Sequence, residues 1–185
     1  MEVERALGTL DATRKVPRNP GLPREEHRGF PAPPPLSPFY LVFAGPPGLG
    51  KTMVAVGLGL HAINSGYTVC FEKMVNLVKI LDTAETERAA GFRLRNLKKA
   101  QLLIIDEIGY TPITRSQANR FFTFISDTYE TSSLILTTNK EIMDWAEMMG
   151  DPVLTTAMLD RILHHANCYS FKGESYRLKH PDVFN

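Results

Sequence analysis

Between Gly45 and Thr52 the chain runs Gly-Pro-Pro-Gly-Leu-Gly-Lys-Thr, directly after the unbroken apolar stretch Tyr40-Leu41-Val42-Phe43-Ala44. An apolar run of this kind that ends at glycine predicts a strand buried on both faces. The residues that follow, Met53 to Ile63, are apolar nearly all round and predict a helix buried against a sheet, in which Gly57 and Gly59 permit close packing. A glycine-rich turn held between such a strand and such a helix has few conformations open to it. Gly45, Gly48 and Gly50 let the backbone curl until successive N–H groups point inward, and the helix adds the positive end of its dipole. The whole stretch Gly45, Pro46, Pro47, Gly48, Leu49, Gly50, Lys51, Thr52 and Met53 therefore reads as a phosphate cradle. Its order, G-x-x-x-x-G-K-[ST], places the Lys51 ammonium at the β- and γ-phosphates of ATP and the Thr52 hydroxyl on the accompanying Mg²⁺.

The rest of the chain alternates in the same way. Thr68 to Phe71, Leu102 to Asp106, Leu134 to Thr138 and Asn167 to Phe171 are strand-like, and helical stretches separate them. That rhythm predicts an α/β P-loop fold around a parallel five-stranded sheet. Ser116 to Glu130 sets Ala118, Phe121, Phe122, Ile125 and Tyr129 on one face at helical spacing, which marks a sheet-covering helix. Another helix opens at Asp151-Pro152, where the carboxylate can cap and proline suits the first turn, and runs to about His164.

Two acids stand where the apolar strand Leu102-Leu103-Ile104-Ile105 ends, Asp106 and Glu107. In a parallel sheet that strand end lies beside the cradle, so Asp106 is assigned to Mg²⁺ through water and Glu107 to polarising the attacking water. Asn139 closes Leu134-Ile135-Leu136-Thr137-Thr138 and is placed to hold the lytic water and touch the γ-phosphate, although strand-end asparagines also simply begin turns. Arg161 falls close to Leu154 and Met158, inside an apolar helical stripe. It either pairs internally, with Asp160 or Glu107, or faces a neighbouring subunit and lends that subunit's γ-phosphate a positive charge. Arg177 follows the last strand and can reach phosphate or end in a surface ion pair. His164, His165 and Trp145 carry no ligand spacing and read as ordinary residues.

Organisation and class follow from composition. Residues 1–38 hold eight of the thirteen prolines, show neither helical nor strand period, and read as a disordered segment. Residues 39–185 form one ATP-binding domain, since a chain of 185 residues that is 43% hydrophobic suits a single core. A formal net charge of +1 argues against a strongly basic nucleic-acid binder and leaves room for a local patch, of which Arg88, Arg93, Arg95, Lys98 and Lys99 are the one visible candidate. Such a patch either tracks phosphates or is a solvated helix face. No apolar run approaches the roughly 18 residues of a membrane span and no secretory signal is visible, so the expected location is cytoplasmic. Cys70 and Cys168 lack metal or redox spacing and read as buried thiols.

From Tyr40 to Lys179 the chain resembles the IstB-like family, the AAA+ ATPase helpers of transposases. The resemblance rests on GPPGLGKT, LLIIDEIGY, Thr137-Thr138-Asn139-Lys140, Trp145 with Gly150-Asp151-Pro152, Asp160-Arg161-Ile162-Leu163-His164-His165, and GESYRLK at 173–179. It implies an ATP-controlled homo-oligomer on double-stranded DNA with a transposase as partner, Arg161 acting as a finger in trans and Arg177 as a sensor. Helicase loaders of the DnaC type share the same ATPase core and supply the alternative role. The chain departs from the family at its start, where a proline-rich segment replaces an N-terminal helical region. A non-catalytic ATP-binding remnant of a truncated gene product is therefore a third reading. Only eight residues follow Arg177, which leaves no room for a separate helical lid.

Overall fold

The computed structural model describes residues 37–179 apart from Glu130 and His165. The proline-rich segment 1–38 thus lies, but for Ser37 and Pro38, outside the described residues. In order, the elements are β1 (Tyr40–Ala44), α1 (Lys51–Asn64), β2 (Val69–Lys73), α2 (Met74–Thr83), α3 (Arg88–Lys99), β3 (Leu102–Ile108) and α4 (Arg115–Thr128). They continue as β4 (Ser133–Thr138), a 3₁₀ turn at Ile142–Asp144, α5 (Trp145–Met149), α6 (Pro152–His164), β5 (Ala166–Ser170) and α7 (Tyr176–Lys179). Every strand pairing is parallel, in the order β2-β3-β4-β1-β5. This is the expected α/β architecture. Placing β4 between β1 and β3 brings three strand ends side by side: the glycine turn, Asn139, and the two acids.

The helices divide unequally over the two faces of the sheet. On one face, Leu77 of α2, Leu97 of α3, Phe121 and Phe124 of α4, Trp145 of α5 and Met158 of α6 pack with Val42, Leu103 and Leu136 into a large core. Burying an aromatic of this size is worth roughly 2–3 kcal/mol, so α4 anchors this layer. On the other face α1 stands alone, with Ala55 and Val56 against Phe43, Phe71, Ile104 and Ile135. Gly59 is what lets it approach: a Cβ there would come within 2.8 Å of Ile104 Cδ1. Gly57 meets nothing within 4 Å, so the close packing expected at both glycines holds at one.

Several sequence expectations need correction. The helix α1 is buried along a single stripe, and Met53, Val54, Leu58 and Leu60 are exposed. A single helix on a sheet covers about a third of its circumference, whatever its composition. Cys168 is exposed, because β5 is an edge strand whose residues from Asn167 to Ser170 stay accessible, whereas Cys70 is buried as expected. Two helices, not one, connect β2 to β3. The helix α4 begins at Arg115 behind a capping box in which Thr114 Oγ1 accepts the Gln117 N–H (3.3 Å) and Gln117 Oε1 accepts the Thr114 N–H (2.9 Å). Its innermost aromatics are Phe121 and Phe124, and Phe122 turns toward α6. Among the described residues no helix is long and apolar enough to cross a membrane.

Candidate nucleotide site

The glycine turn leaves β1 with the Gly45 N–H donating to the Thr138 carbonyl at 3.3 Å, which fixes its root to β4. Gly45 (φ 141°) and Gly48 (φ 81°) both take backbone conformations that side chains disfavour. Both are also crowded: an added Cβ would lie 2.3 Å from the Phe171 carbonyl oxygen at Gly45 and 2.0 Å from Ser175 Oγ at Gly48. The cradle is therefore walled by residues that follow β5. The Tyr176 N–H closes it further by donating to the Gly48 carbonyl at 3.0 Å. Pro46 and Pro47 are exposed and Leu49 is half-buried. The Met53 side chain is exposed, so what it can offer a phosphate is its backbone N–H at the helix start.

Lys51 is buried and curls back over the turn, with Nζ donating to the carbonyls of Gly45 (2.6 Å) and Pro46 (2.7 Å). Burial pulls its pKa below the ordinary lysine value; the Asp106 carboxylate opposes this and the Arg177 guanidinium adds to it. An ammonium satisfied by neutral carbonyls in a buried turn is poised for a stronger anionic partner. Arg177, on α7, is therefore near enough to Lys51 for the two positive charges to oppose each other.

On the neighbouring strand ends, Thr52 Oγ1 donates to Asp106 Oδ1 at 2.9 Å. Asp106 is 1% exposed and takes a second hydrogen bond on the same oxygen from the Thr137 hydroxyl. A hydroxyl and a carboxylate this close, with no softer ligand, suit Mg²⁺, which binds through few protein oxygens and keeps several waters. Glu107 is exposed at the tip of β3, and Lys73 at the end of β2 reaches its two carboxylate oxygens at 3.2 and 3.4 Å. An exposed pair like this is worth about 0.2–1 kcal/mol, too little to lock the carboxylate in place. Asn139 is exposed, with Oδ1 lying 3.5 Å from where a Cβ on Gly109 would stand, between the cradle and the acids.

Arg161 is the one predicted residue that the fold holds apart. It sits on α6, across the sheet from α1, with its guanidinium carbon 4.7 Å from the centroid of the Phe122 ring. Neither Asp160 nor Glu107 forms an ion pair with it among the described residues. Two contributors went unassigned in the sequence. Lys73 could have been found as the last residue of β2, level with Asp106 across the ladder, and Thr137 as the hydroxyl that ends the apolar run Leu134-Ile135-Leu136.

The family description "IstB-like ATP binding protein" matches residues 39–182. The chain belongs to the IstB-like family. A Pseudomonas aeruginosa protein named for insertion sequence IS21 and for ATP binding is 47% identical over 139 residues, 75% of this chain and 52% of that protein. A Geobacillus stearothermophilus protein, named in the same way for insertion sequence IS5376, is 45% identical over 75% of this chain and 55% of its own. The IstB-like chain spans about half the length of the curated relatives it matches. In three dimensions it is similar to the DnaC helicase loader, with a TM-score of 0.63 at 22% identity over 75% of this chain and 81% of that one. DnaI is similar at a TM-score of 0.63 and 17% identity, over 80% and 77% of the two chains. The fold is thus the AAA+ type of P-loop α/β domain.

Proposed function

We propose that this IstB-like chain binds and hydrolyses Mg·ATP and serves DNA transposition as an ATP-dependent oligomer on duplex DNA, with a transposase as its partner. The observation that carries the chemistry is the convergence of Lys51, Thr52, Asp106, Glu107 and Asn139 at three adjacent strand ends. On this reading Lys51 exchanges its carbonyl partners for the β- and γ-phosphates, and the backbone of the cradle holds the remaining oxygens. Thr52, and Asp106 through water, would hold the Mg²⁺ that accompanies the nucleotide, which would supply positive charge to the phosphates. Glu107 releases Lys73 to polarise the attacking water, Asn139 orients that water, and Arg177 senses the phosphate from α7. Arg161 serves the nucleotide of a second copy, with the Phe122 ring orienting its guanidinium. Such a finger is worth about 10³ to 10⁵ in rate, so an isolated subunit should be almost inactive.

The names of the relatives tie the family to insertion sequences, which favours a transposase over a replicative helicase as partner. Support for the DNA contact comes from α3. Arg93 is spent on Glu72 and the Phe71 carbonyl, and Lys98 on Asp127. Arg88, Phe92, Arg95 and Lys99, by contrast, recur at one helical face and are all exposed. Those three cations have no carboxylate partner among the described residues, and Arg95 lies over the Phe92 ring at 5.8 Å. The basic cluster thus splits into a structural half and a free half.

The test is the hydrolysis rate per subunit against protein concentration, with and without non-specific duplex at low salt. A rate that climbs with both supports the oligomeric helper, and Glu107→Gln should then keep ATP binding while abolishing turnover. A flat, near-zero rate despite ATP binding would leave a nucleotide-binding remnant. Capture of a replicative helicase in place of a transposase would move the chain to the loader role.

A further inference from the structure

The β3–β4 ladder is regular from Leu102 opposite Ser133 to Ile105 opposite Leu136, then resumes at Ile108 opposite Thr138. Three steps along β3 are matched by two along β4, so the ladder carries a bulge, and the bulge falls on Asp106 and Glu107. Glu107 adopts φ 62°, the one positive φ at a non-glycine among the described residues. Left-handed backbone at an ordinary residue persists only where its surroundings impose it.

What imposes it is a side chain. The Glu107 N–H, which a regular ladder would direct to a β4 carbonyl, donates to Thr137 Oγ1 at 3.0 Å. The same hydroxyl donates its own proton to Asp106 Oδ1, and Thr137 is 2% exposed. A hydroxyl offers one proton and can accept as well, and here both capacities are used between two consecutive acids. Valine would fill the same space and suit a buried strand, yet it would orphan the Glu107 N–H and strip Asp106 of a donor.

We infer that Thr137 is the positioning residue of this site: its hydroxyl holds the bulge that aims Glu107 out of the strand, and it fixes the Asp106 carboxylate from the sheet side. Because Thr52 holds Asp106 from the helix side, Thr137 keeps the carboxylate oriented when the Thr52 hydroxyl turns to a metal. The inference rests on the hydrolysis reading for its consequence in turnover, and on the metal assignment of Asp106 alone for its consequence in binding.

The experiment compares wild type, Thr137→Val and Thr137→Ser by two readouts: ADP affinity with Mg²⁺ against ADP affinity in EDTA, and ATP turnover at saturation. Thr137→Val should keep its metal-free affinity, lose the Mg²⁺ enhancement, and turn over about 10- to 100-fold more slowly, as expected for an orphaned buried donor. Thr137→Ser should restore both. If the valine chain loses metal-free binding through misfolding, Thr137→Ala against Thr137→Ser makes the same comparison. Wild-type behaviour of the valine or alanine chain overturns the inference, as does a serine chain equally impaired. A wild type without turnover even at high protein concentration on duplex DNA sinks the hydrolysis reading, and the Mg²⁺ enhancement then still decides the role of Thr137.

Discussion

Lys51 is charged, buried and bonded to nothing but carbonyls, which makes it the residue whose titration reports most directly on the site. Its pKa lies below the ordinary lysine value because burial disfavours the ammonium. The sign follows: phosphate binds the charged form, so nucleotide affinity should fall as pH rises through the depressed pKa. The loss should begin before a free lysine would titrate, with a limiting slope of about tenfold per pH unit. Titrating Kd from pH 7 to 10.5 checks this, and a flat profile would detach Lys51 from the phosphates. Gly48→Ala should act through shape instead. With Ser175 Oγ 2.0 Å from the new methyl and φ at 81°, the cost is about 1–2 kcal/mol from backbone conformation alone. Both the melting temperature and the nucleotide affinity should drop, whereas Gly57→Ala, with nothing within 4 Å, should raise the melting temperature.

At the scale of the element, α6 shows how a helix start couples to its neighbour. Asp151 Oδ1 accepts the Leu154 N–H at 3.0 Å, and Oδ2 meets Arg115 Nε at 2.9 Å, at the first turn of α4. The capping bond and, less strongly, Arg115 hold the Asp151 pKa below the usual carboxylate value. A depressed carboxylate contributes stability above the unfolded-state pKa and loses it as pH falls through the folded one. Asp151→Asn should therefore flatten the acid limb of the stability profile, measured as melting temperature between pH 6 and 2, and Asp151→Ala should lower the melting temperature at pH 7. This helix was legible in sequence because Asp-Pro marks a start. The strand β1 was legible to the residue for a similar reason, a buried apolar run stopped by glycine. The helix α2 was not, since Lys73 is both the last residue of β2 and the residue before α2, with no glycine or proline between them to mark the change. The ladder bulge that aims Glu107 escaped because register depends on a partner strand some thirty residues away. The exposed side of α1 escaped because uniform hydrophobicity does not say which stripe is covered.

Over the whole molecule, charge is nearly balanced, and the three cations of α3 that have no carboxylate partner among the described residues stand out only once their neighbours' ion pairs are seen. Replacing Arg88, Arg95 and Lys99 together by glutamine should leave ATP affinity unchanged and weaken duplex binding across all sequences. The slope of log K against log[salt] should shrink by up to about three units. Fluorescence anisotropy with a labelled duplex over a salt series measures this, and an unchanged slope would move the DNA face elsewhere. The cradle has an organisation of its own at this scale, for its floor comes from the turn after β1 and its wall from Phe171, Ser175 and Tyr176. The first strand and the last short helix of the described fold must meet before the phosphate site exists. The turn and its wall are far apart in the sequence, so the cradle forms only once long-range contacts have been made. A nucleotide in the cradle would then bind only a chain whose segment after β5 has docked, and mass action would stabilise that docked form over the open one.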